Sequence, residues 1–204
     1  MVYPKKSLGQ NFLVDKNIVN KICDLRVIQN RNIVEIGPGQ GALTDKILEK
    51  KPKSLLLIEK DYKLFENLKI KHKNDNKITL INDDILKIDI EKYLRNKSII
   101  FGNLPYNISS QILVKFIRFD SWPPKFTDLI LMFQKELAEK IIGKSYGRLS
   151  IIANFRLKLL NKFNISPNCF YPRPKVDSTI LHLMPINRKK YKIDNLKNLE
   201  NITN

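Results

Sequence analysis

Short apolar runs alternate along the chain with longer segments in which apolar residues recur at helical spacing. The runs predict five strands, at residues 32–36, 54–59, 77–81, 97–101 and 128–133. The intervening segments predict helices at residues 41–51, 61–71, 108–119 and 135–142. Strands that alternate with helices, and that are apolar nearly throughout, are typical of a parallel sheet covered on both faces.

The pattern changes after the fifth predicted strand. Residues 157–165 and 178–184 read as two more strands, joined by a Pro-rich loop at 166–177 that is too short for a crossover helix. Such neighbours should pair antiparallel. We therefore predict an α/β fold with a mixed seven-stranded sheet whose terminal strands are antiparallel. After Pro185 the pattern decays, which divides the chain into one domain, residues 1–186, and a basic and polar tail, residues 187–204.

Composition and charge narrow the class of protein. The 204 residues are 43% hydrophobic and 28% charged, which is enough to build a core and excludes a disordered polymer. Lys and Arg number 37 against 20 Asp and Glu, and the net charge of +17 favours a polyanionic partner such as a nucleic acid. A Lys- and Asn-rich proteome, in which every protein drifts basic, is the alternative explanation.

The sequence also indicates a compartment. No apolar run approaches the ~18 residues of a membrane span, and the N-terminus lacks the apolar region of a secretory signal. Cys23 and Cys169 are too few for a disulfide framework, and neither has a second ligand at zinc spacing. We expect a cytoplasmic protein that binds neither membrane nor metal.

A glycine-rich turn directly follows the first predicted strand. Gly37, Gly39 and Gly41 follow the spacing GxGxG, whereas a dinucleotide-binding turn has GxGxxG. Glu35 stands two residues before the first glycine and would repel a pyrophosphate. A carboxylate there suits a ligand with an ammonium group, such as S-adenosylmethionine. A tight strand-to-helix turn without a ligand is the simpler alternative.

Acidic residues close the next two strands. Glu59 ends the second strand about 20 residues after the turn, where a carboxylate can accept hydrogen bonds from both ribose hydroxyls. Asp84 follows the third strand and could accept a hydrogen bond from an adenine amine. Asp83 is an equal candidate for that role, and the sequence does not separate them.

Asn103-Leu104-Pro105-Tyr106 follows the fourth strand and carries the strongest chemical signal. An exocyclic adenine amine is a poor nucleophile because its lone pair is delocalised into the ring. The Asn103 side-chain oxygen and the Leu104 carbonyl are spaced to accept its two hydrogens, while Pro105 restricts the backbone. The Tyr106 ring could then stack on a base that has left its own stack. These residues predict methyl transfer to an amino group.

The chain resembles the KsgA-type ribosomal RNA adenine dimethyltransferases. Six motifs carry the resemblance in the family's order: Ser7–Leu13, Val34–Thr44, Gly102–Ser109, Gln134–Glu136, Tyr146–Ser150 and Phe170–Ser178. The resemblance implies a class I, Rossmann-like S-adenosylmethionine-dependent methyltransferase. Its implied substrate is a pair of adjacent adenosines in a hairpin loop near the 3′ end of small-subunit rRNA. Each adenosine would receive two methyl groups on N6 during small-subunit biogenesis.

The resemblance also implies roles for individual residues. Asn11 and Leu13 would cover the cofactor, Gly37 would pass under its methionyl end, and Asn103 would contact both cofactor and target. Glu59 would hold the ribose and Asp84 the adenine. Phe170 would form a second wall against the flipped base, opposite Tyr106.

Other residues receive weaker assignments. Lys135, Arg148 and Arg173 are candidate RNA contacts, and an ordinary helix start is an equal explanation for Lys135. His72 and His182 have no cysteine or acid at ligand spacing, so we expect no metal site. The mixed-charge segment at residues 61–77 reads as a solvated helix face and loop.

Two alternatives to the assigned function remain open at this point. One is a large-subunit rRNA adenine methyltransferase of the macrolide-resistance type, and the other is a non-catalytic ribosome-assembly or RNA-binding factor. The resembling family normally continues with a basic helical domain, of which residues 187–204 would be a stub. We therefore expect a monomer that binds cofactor but holds the small ribosomal subunit weakly.

Overall fold

The computed structural model describes residues 4–5, 8–143 and 147–186. Its strands are β1 (Phe12–Leu13), β2 (Asn32–Ile36), β3 (Ser54–Glu59), β4 (Ile78–Asn82), β5 (Ser98–Gly102), β6 (Phe126–Gln134), β7 (Leu157–Ile165), β8 (Phe170–Tyr171) and β9 (Ser178–Pro185). Its helices are α1 (Lys16–Cys23), α2 (Ala42–Glu49), α3 (Tyr62–Lys71), α4 (Ser109–Ile117), α5 (Lys135–Ile141) and α6 (Arg148–Arg156). The predicted tail at 187–204 lies outside the described residues, as do Ser7 and Tyr146 of the recognised motifs.

Seven strands form one mixed sheet in the order β4-β3-β2-β5-β6-β9-β7. The first five are parallel, whereas β9 pairs antiparallel with both β6 and β7. This confirms the predicted sheet and its antiparallel end. Because the carboxyl ends of β2, β3 and β5 lie side by side, the loops that follow them meet at one edge, where open α/β sheets bind ligands.

The sheet separates two apolar cores. Ile100 packs on one face with α4, α5 and α6, while Ile99 and Phe101 pack on the other with α1 and α2. All three side chains are fully buried. Alternate residues of a strand face opposite sides, so a strand buried on both faces must be apolar throughout. The continuous apolar runs in the sequence have this origin.

Two helices and a small second sheet were not predicted. Helix α1 begins at Asp15, whose carboxylate accepts hydrogen bonds from the backbone N–H groups of Asn17 and Ile18, a capping signal that the sequence does contain. Helix α6 ends at Arg156, whose buried guanidinium donates to two backbone carbonyls. The two-residue strands β1 and β8 pair antiparallel and are too short to show any periodicity.

His182 has an acidic partner that sequence spacing did not reveal. Its Nε2 lies 2.8 Å from an oxygen of Asp128, and both side chains are buried between β6 and β9. Arg26 lies 3.1 Å from the same carboxylate. Burial opposes ionisation of Asp128, yet hydrogen bonds from His182 and Thr127 and the charge of Arg26 hold its pKa below its ordinary value. The buried contact between Asp128 and His182 therefore links β6 to β9, and the partly exposed Arg26 lies at its margin.

Candidate active site

A cavity of about 680 Å³ opens at the carboxyl ends of β2, β3 and β5. This volume lies within the range of sites that take cofactor-sized ligands. Its lining brings together most of the site residues predicted from the sequence, namely Asn11, Leu13, Gly37, Glu59, Asp83, Asp84, Asn103, Leu104, Pro105 and Tyr106. Phe170, Lys135, Arg148 and Arg173 are not part of that lining.

The three glycines of the turn have different surroundings. All have positive φ, which favours glycine. A Cβ at Gly37 would have only the Asn103 carbonyl oxygen near it, at 3.8 Å, so it would project into open space. A Cβ at Gly39 would lie 3.0 Å from the Phe12 ring, and one at Gly41 would lie 3.2 Å from a methyl group of Leu68. Only Gly37 therefore leaves room for a ligand.

Glu35 is a buried carboxylate at the base of the cavity. Its side chain accepts a 2.6 Å hydrogen bond from the Thr44 hydroxyl. Burial raises the pKa of Glu35 from 4.5 to about 8, and the hydrogen bond from Thr44 offsets only part of this rise. The carboxyl group therefore carries little charge near neutral pH, which weakens our expectation that it complements an ammonium group.

Glu59 has a fixed orientation at the end of β3. One of its oxygens accepts from the backbone N–H of Gly39 at 3.0 Å, and the other accepts from that of Asp61 at 2.8 Å. Burial raises its pKa, and these backbone hydrogen bonds oppose the rise. A carboxylate offers about four acceptor positions, so capacity for ribose hydroxyls remains.

Asp61 was missed as part of the site. The sequence placed it at the start of a solvated helix face, but its side chain is fully buried, which corrects that assignment. Its carboxylate caps α3 by accepting a hydrogen bond from the backbone N–H of Lys63. The same carboxylate lies 2.9 Å from the Lys5 ammonium and 3.3 Å from the Gln10 amide nitrogen. Burial opposes ionisation, but Lys5 and Lys63 hold the pKa of Asp61 below its ordinary value.

These contacts attach an N-terminal strap, residues 8–14, to the end of β3. Gln10 of the strap contacts Asp61, and the next residue, Asn11, contacts the loop at residues 103–107, which we predict to be catalytic and name the catalytic loop. Both contacts join residues distant in sequence. In the sequence, the one feature that could have indicated a role for Asp61 near the site is its position two residues after Glu59.

Asp84 is more firmly held than Asp83. One Asp84 oxygen accepts from the backbone N–H of Leu86 at 2.9 Å, and the other lies 2.9 Å from the Lys60 ammonium. Partial burial opposes ionisation, but Lys60 and Leu86 lower the pKa of Asp84. Asp83 is exposed and accepts from the Asp84 backbone N–H. Both residues line the cavity, and Asp84 is the one whose carboxylate is held on both oxygens.

The first two residues of the catalytic loop, Asn103 and Leu104, are both held in place. The Asn103 amide nitrogen donates to the carbonyl of Asn11 at 3.0 Å. This bond orients the amide, and the Asn103 Oδ1 accepts no hydrogen bond within the described ranges. The Leu104 side chain is buried and packs against Gly102. A Cβ at position 102 would lie only 2.7 Å from a methyl group of Leu104, so this packing requires glycine. The loop therefore presents a fixed amide and a fixed backbone.

Tyr106 is tied to the start of β9. Its hydroxyl lies 2.6 Å from the hydroxyl of Ser178, and burial raises its pKa. The ring also lines the cavity. Ser178 belongs to the predicted motif Phe170–Ser178, so the fold brings that motif against the catalytic loop.

The other predicted substrate residues lie elsewhere. The Phe170 ring is 4% exposed and packs in the core with Leu13, so as a wall for a base it would first have to become accessible. Arg148 and Arg173 are exposed, and Lys135 lies 3.9 Å from Asp177 in an ion pair. Their roles in binding RNA stay predictions.

The cavity differs in charge from the chain as a whole. With the largely uncharged Glu35 left out, the described residues that line it include five acids and three lysines: Asp45, Glu49, Glu59, Asp83 and Asp84 against Lys16, Lys46 and Lys60. The chain carries a net charge of +17. A polyphosphate is disfavoured at such a lining, whereas a cationic sulfonium with an ammonium group fits it.

The described residues contain neither a membrane-spanning helix nor a metal-binding cluster. Within residues 4–5, 8–143 and 147–186, no helix is long and apolar enough to cross a membrane. Over the same ranges, no group of three or more His, Cys, Asp or Glu side chains is arranged to hold a metal ion.

Comparison with known proteins agrees with this geometry. A relative from Pelagibacter ubique, named ribosomal RNA small subunit methyltransferase A, is 46% identical over 99% of this chain and 78% of its own length. A protein of the same name from Mycoplasma mobile is 44% identical over 87% of this chain and 69% of its own.

Solved structures extend the comparison. A dimethyladenosine transferase from Plasmodium falciparum is 32% identical, with a TM-score of 0.74 over 86% of this chain and 63% of that one. The 23S rRNA methyltransferase ErmE has the same TM-score over 95% of this chain at 23% identity, which shows a shared class I methyltransferase fold. The family described as ribosomal RNA adenine dimethylase matches residues 2–204. With the glycine turn, Glu59 and the catalytic loop assembled around one cavity, the chain belongs to this ribosomal RNA adenine dimethylase family.

Proposed function

We propose that this chain transfers methyl groups from S-adenosylmethionine to N6 of adenosine in small-subunit rRNA, giving dimethyladenosine. The observation that carries the proposal is the Asn103 amide, which the Asn11 carbonyl orients at the end of β5, in the same cavity as Glu59. The names of the relatives support the RNA substrate. The finer target, two adjacent adenosines in a hairpin loop near the 3′ end, follows from the family resemblance.

The residues of the cavity fit the cofactor. Gly37 leaves open space for the methionyl end, Glu59 holds acceptor capacity for the ribose, and Asp84 or Asp83 would accept from the adenine amine. Asn11 and Leu13 of the N-terminal strap line the same cavity and would cover the ligand. When bound, S-adenosylmethionine supplies the methyl group.

The catalytic loop would prepare the target amine. The Asn103 Oδ1 and the Leu104 carbonyl accept the two N6 hydrogens, which draws the nitrogen lone pair out of the ring and toward the methyl group. Pro105 restricts the backbone between them and the Tyr106 ring. Tyr106, held by Ser178, stacks on the base. The N–CH3 bond would form as the S–CH3 bond of the sulfonium breaks, leaving S-adenosylhomocysteine. A strong general base is not required, because the nitrogen becomes acidic once it carries the new positive charge and would release its proton to water.

Neither alternative explains the site as well. A non-catalytic RNA-binding factor has no need for an oriented Asn103 beside a cofactor-sized cavity. A large-subunit enzyme shares the fold, but the Pelagibacter ubique and Mycoplasma mobile relatives, at 46% and 44% identity, are named for the small subunit.

The remaining parts of the proposal concern the cell and the partner. We expect a cytoplasmic monomer that works without a metal and contacts RNA through Lys135, Arg148 and Arg173. The division into a catalytic domain, residues 1–186, and a basic tail, residues 187–204, belongs to the same proposal.

Substitution Asn103→Ala tests the function. The variant loses an acceptor that acts on the amine in the transition state, so we expect methyl transfer at saturating cofactor to fall at least about 100-fold, by more than cofactor affinity falls. The measurement is transfer of radiolabelled methyl groups to unmethylated small ribosomal subunits, followed by nucleoside analysis. Asn76→Ala is the control, because Asn76 is exposed and precedes β4, at the end of the strands opposite to the cavity.

Three results would contradict the proposal. Wild-type rates in Asn103→Ala would remove the residue from the chemistry. A wild-type chain that binds S-adenosylmethionine but methylates no small subunit, even at low salt and at subunit concentrations that offset weak binding, would overturn the substrate. Absence of cofactor binding would overturn the enzymatic function itself.

A further inference from the structure

The small sheet of β1 and β8 has one buried face and one partly exposed face. Leu13 pairs with Phe170 and Phe12 pairs with Tyr171. Directly opposed residues of an antiparallel pair share a face, and neighbouring residues face opposite sides. Leu13 and Phe170 belong to the buried core, so Phe12 and Tyr171 lie on the other face. On that face the Tyr171 side chain is 60% exposed.

This exposed tyrosine lies next to the active site. Its strand partner Phe12 packs against Gly39 of the cofactor turn, and the preceding residue, Asn11, accepts the hydrogen bond from Asn103. Opposed Cα atoms in an antiparallel pair are about 5 Å apart. Tyr171 is therefore one strand spacing from Phe12, which packs against the cofactor turn and directly follows the residue that binds Asn103.

The surroundings of Tyr171 suit a nucleic acid. Arg173 and Lys175 follow it in the same segment, and both are exposed. Asp177 is the acid of this segment, and it pairs with Lys135. An exposed aromatic ring with flanking cations is the combination that binds unpaired nucleotides, since the ring stacks on a base and the cations meet phosphates.

We propose that Tyr171 stacks on an unpaired nucleotide adjacent to the target adenosine. Tyr171 does not line the cavity, so its partner is a flanking base rather than the base that is methylated. This inference rests on the proposed function, because it needs an RNA loop at the cavity. It also separates the two aromatic residues of β8: the sequence singled out Phe170, whereas the structure exposes its neighbour.

Substitution Tyr171→Ala tests the stacking contact. From the free energy of base–aromatic stacking, we expect kcat/KM for small subunits to fall about tenfold, mainly because KM rises. The dissociation constant for S-adenosylmethionine should stay unchanged. Tyr171→Phe keeps the ring and should retain wild-type values. Tyr93→Ala removes an exposed tyrosine before β5, at the opposite edge of the sheet, and is the matched control.

A binding measurement makes the test independent of turnover. We would titrate an RNA hairpin carrying 2-aminopurine beside the loop adenosine, and stacking on Tyr171 should quench its fluorescence in wild type and Tyr171→Phe but not in Tyr171→Ala. Equal quenching and equal kcat/KM in Tyr171→Ala would overturn the inference, as would a loss of both in Tyr171→Phe. A wild-type chain that quenches the probe but methylates nothing would overturn the proposed function and leave the stacking contact standing.

Discussion

At the scale of single residues, burial raises the pKa of two carboxyl groups in the cavity, Glu35 and Glu59, but their hydrogen-bond donors differ. Glu59 is fixed by two backbone N–H groups, which favour its charged form. Glu35 has one partner, the Thr44 hydroxyl, and its pKa rises to about 8. The sequence shows two acids at strand ends, and only the number of donors around each one distinguishes them.

The raised pKa of Glu35 predicts a pH-dependent stability. Between about pH 4.5, its ordinary pKa, and about pH 8, the folded chain binds more protons at this group than the unfolded chain does. The free energy of unfolding should therefore fall as pH rises through this window, by up to about 1.4 kcal/mol per pH unit. Glu35→Gln cannot ionise and keeps an oxygen for Thr44, so it should lose less stability over the same range.

Urea unfolding near both ends of that window measures the difference. Glu136→Gln is the control, since Glu136 is exposed and Lys140 lowers its pKa. Identical pH dependence in wild type and Glu35→Gln would show that Glu35 is not protonated in the folded chain.

At the scale of elements, the site depends on how the N-terminal strap is attached. The strap crosses from Asp61, after β3, to the catalytic loop, after β5. Asp61 both caps α3 and holds Lys5 and Gln10, while its own N–H holds Glu59. Asp61 therefore links the strap, through its carboxylate, to the predicted ribose ligand Glu59, through its backbone N–H.

Asp61→Asn should loosen the strap without unfolding α3. Asparagine can still cap the helix, but the charge that holds Lys5 is lost. We expect the dissociation constant for S-adenosylmethionine to rise about fivefold, equal to ~1 kcal/mol, and trypsin to cleave faster after Lys5. Calorimetric titration and a digestion time course measure the two effects.

Asp15→Asn is the matched control for Asp61→Asn. Asp15 caps α1 with nearly the same backbone angles, φ −77° and ψ 113° against −76° and 112°, and does not line the cavity. If both substitutions weakened cofactor binding equally, the effect would come from helix capping and not from the strap.

At the scale of the whole molecule, charge is separated by location. The cavity lining is mainly acidic among the described residues, although the chain has an excess of 17 positive charges. The excess therefore belongs to residues outside the cavity lining, which can meet phosphates, while the acidic lining suits a cationic cofactor.

This separation predicts a salt dependence for RNA binding and none of comparable size for the cofactor. The logarithm of the association constant for small subunits should fall linearly with the logarithm of salt concentration. Arg173→Ala and Lys135→Ala should each reduce that slope by about one if the side chain meets a phosphate. Lys53→Ala, exposed at the opposite edge of the sheet, should leave the slope nearer to wild type. An unchanged slope in all three variants would remove Arg173 and Lys135 from the RNA interface.

The sequence by itself determined the sheet and the chemical motifs. Buried parallel strands are continuously apolar, so β2, β3, β5 and β6 were predicted within two residues of their observed bounds. The carboxyl ends of such strands share an edge, so Glu59, Asn103 and Tyr106 were predicted at one site. These properties depend on local pattern and on the regular geometry of the sheet.

Tertiary structure alone decided which of these groups are buried and what each contacts. The burial of Asp61, the pairing of Asp128 with His182, and the exposure of Tyr171 rather than Phe170 all arise between segments distant in the chain. Such contacts leave no period in the sequence, and the two-residue strands β1 and β8 are too short to show one. Local sequence pattern carries information about an element's own buried face, whereas a side chain's partner on another element is set only when the chain packs.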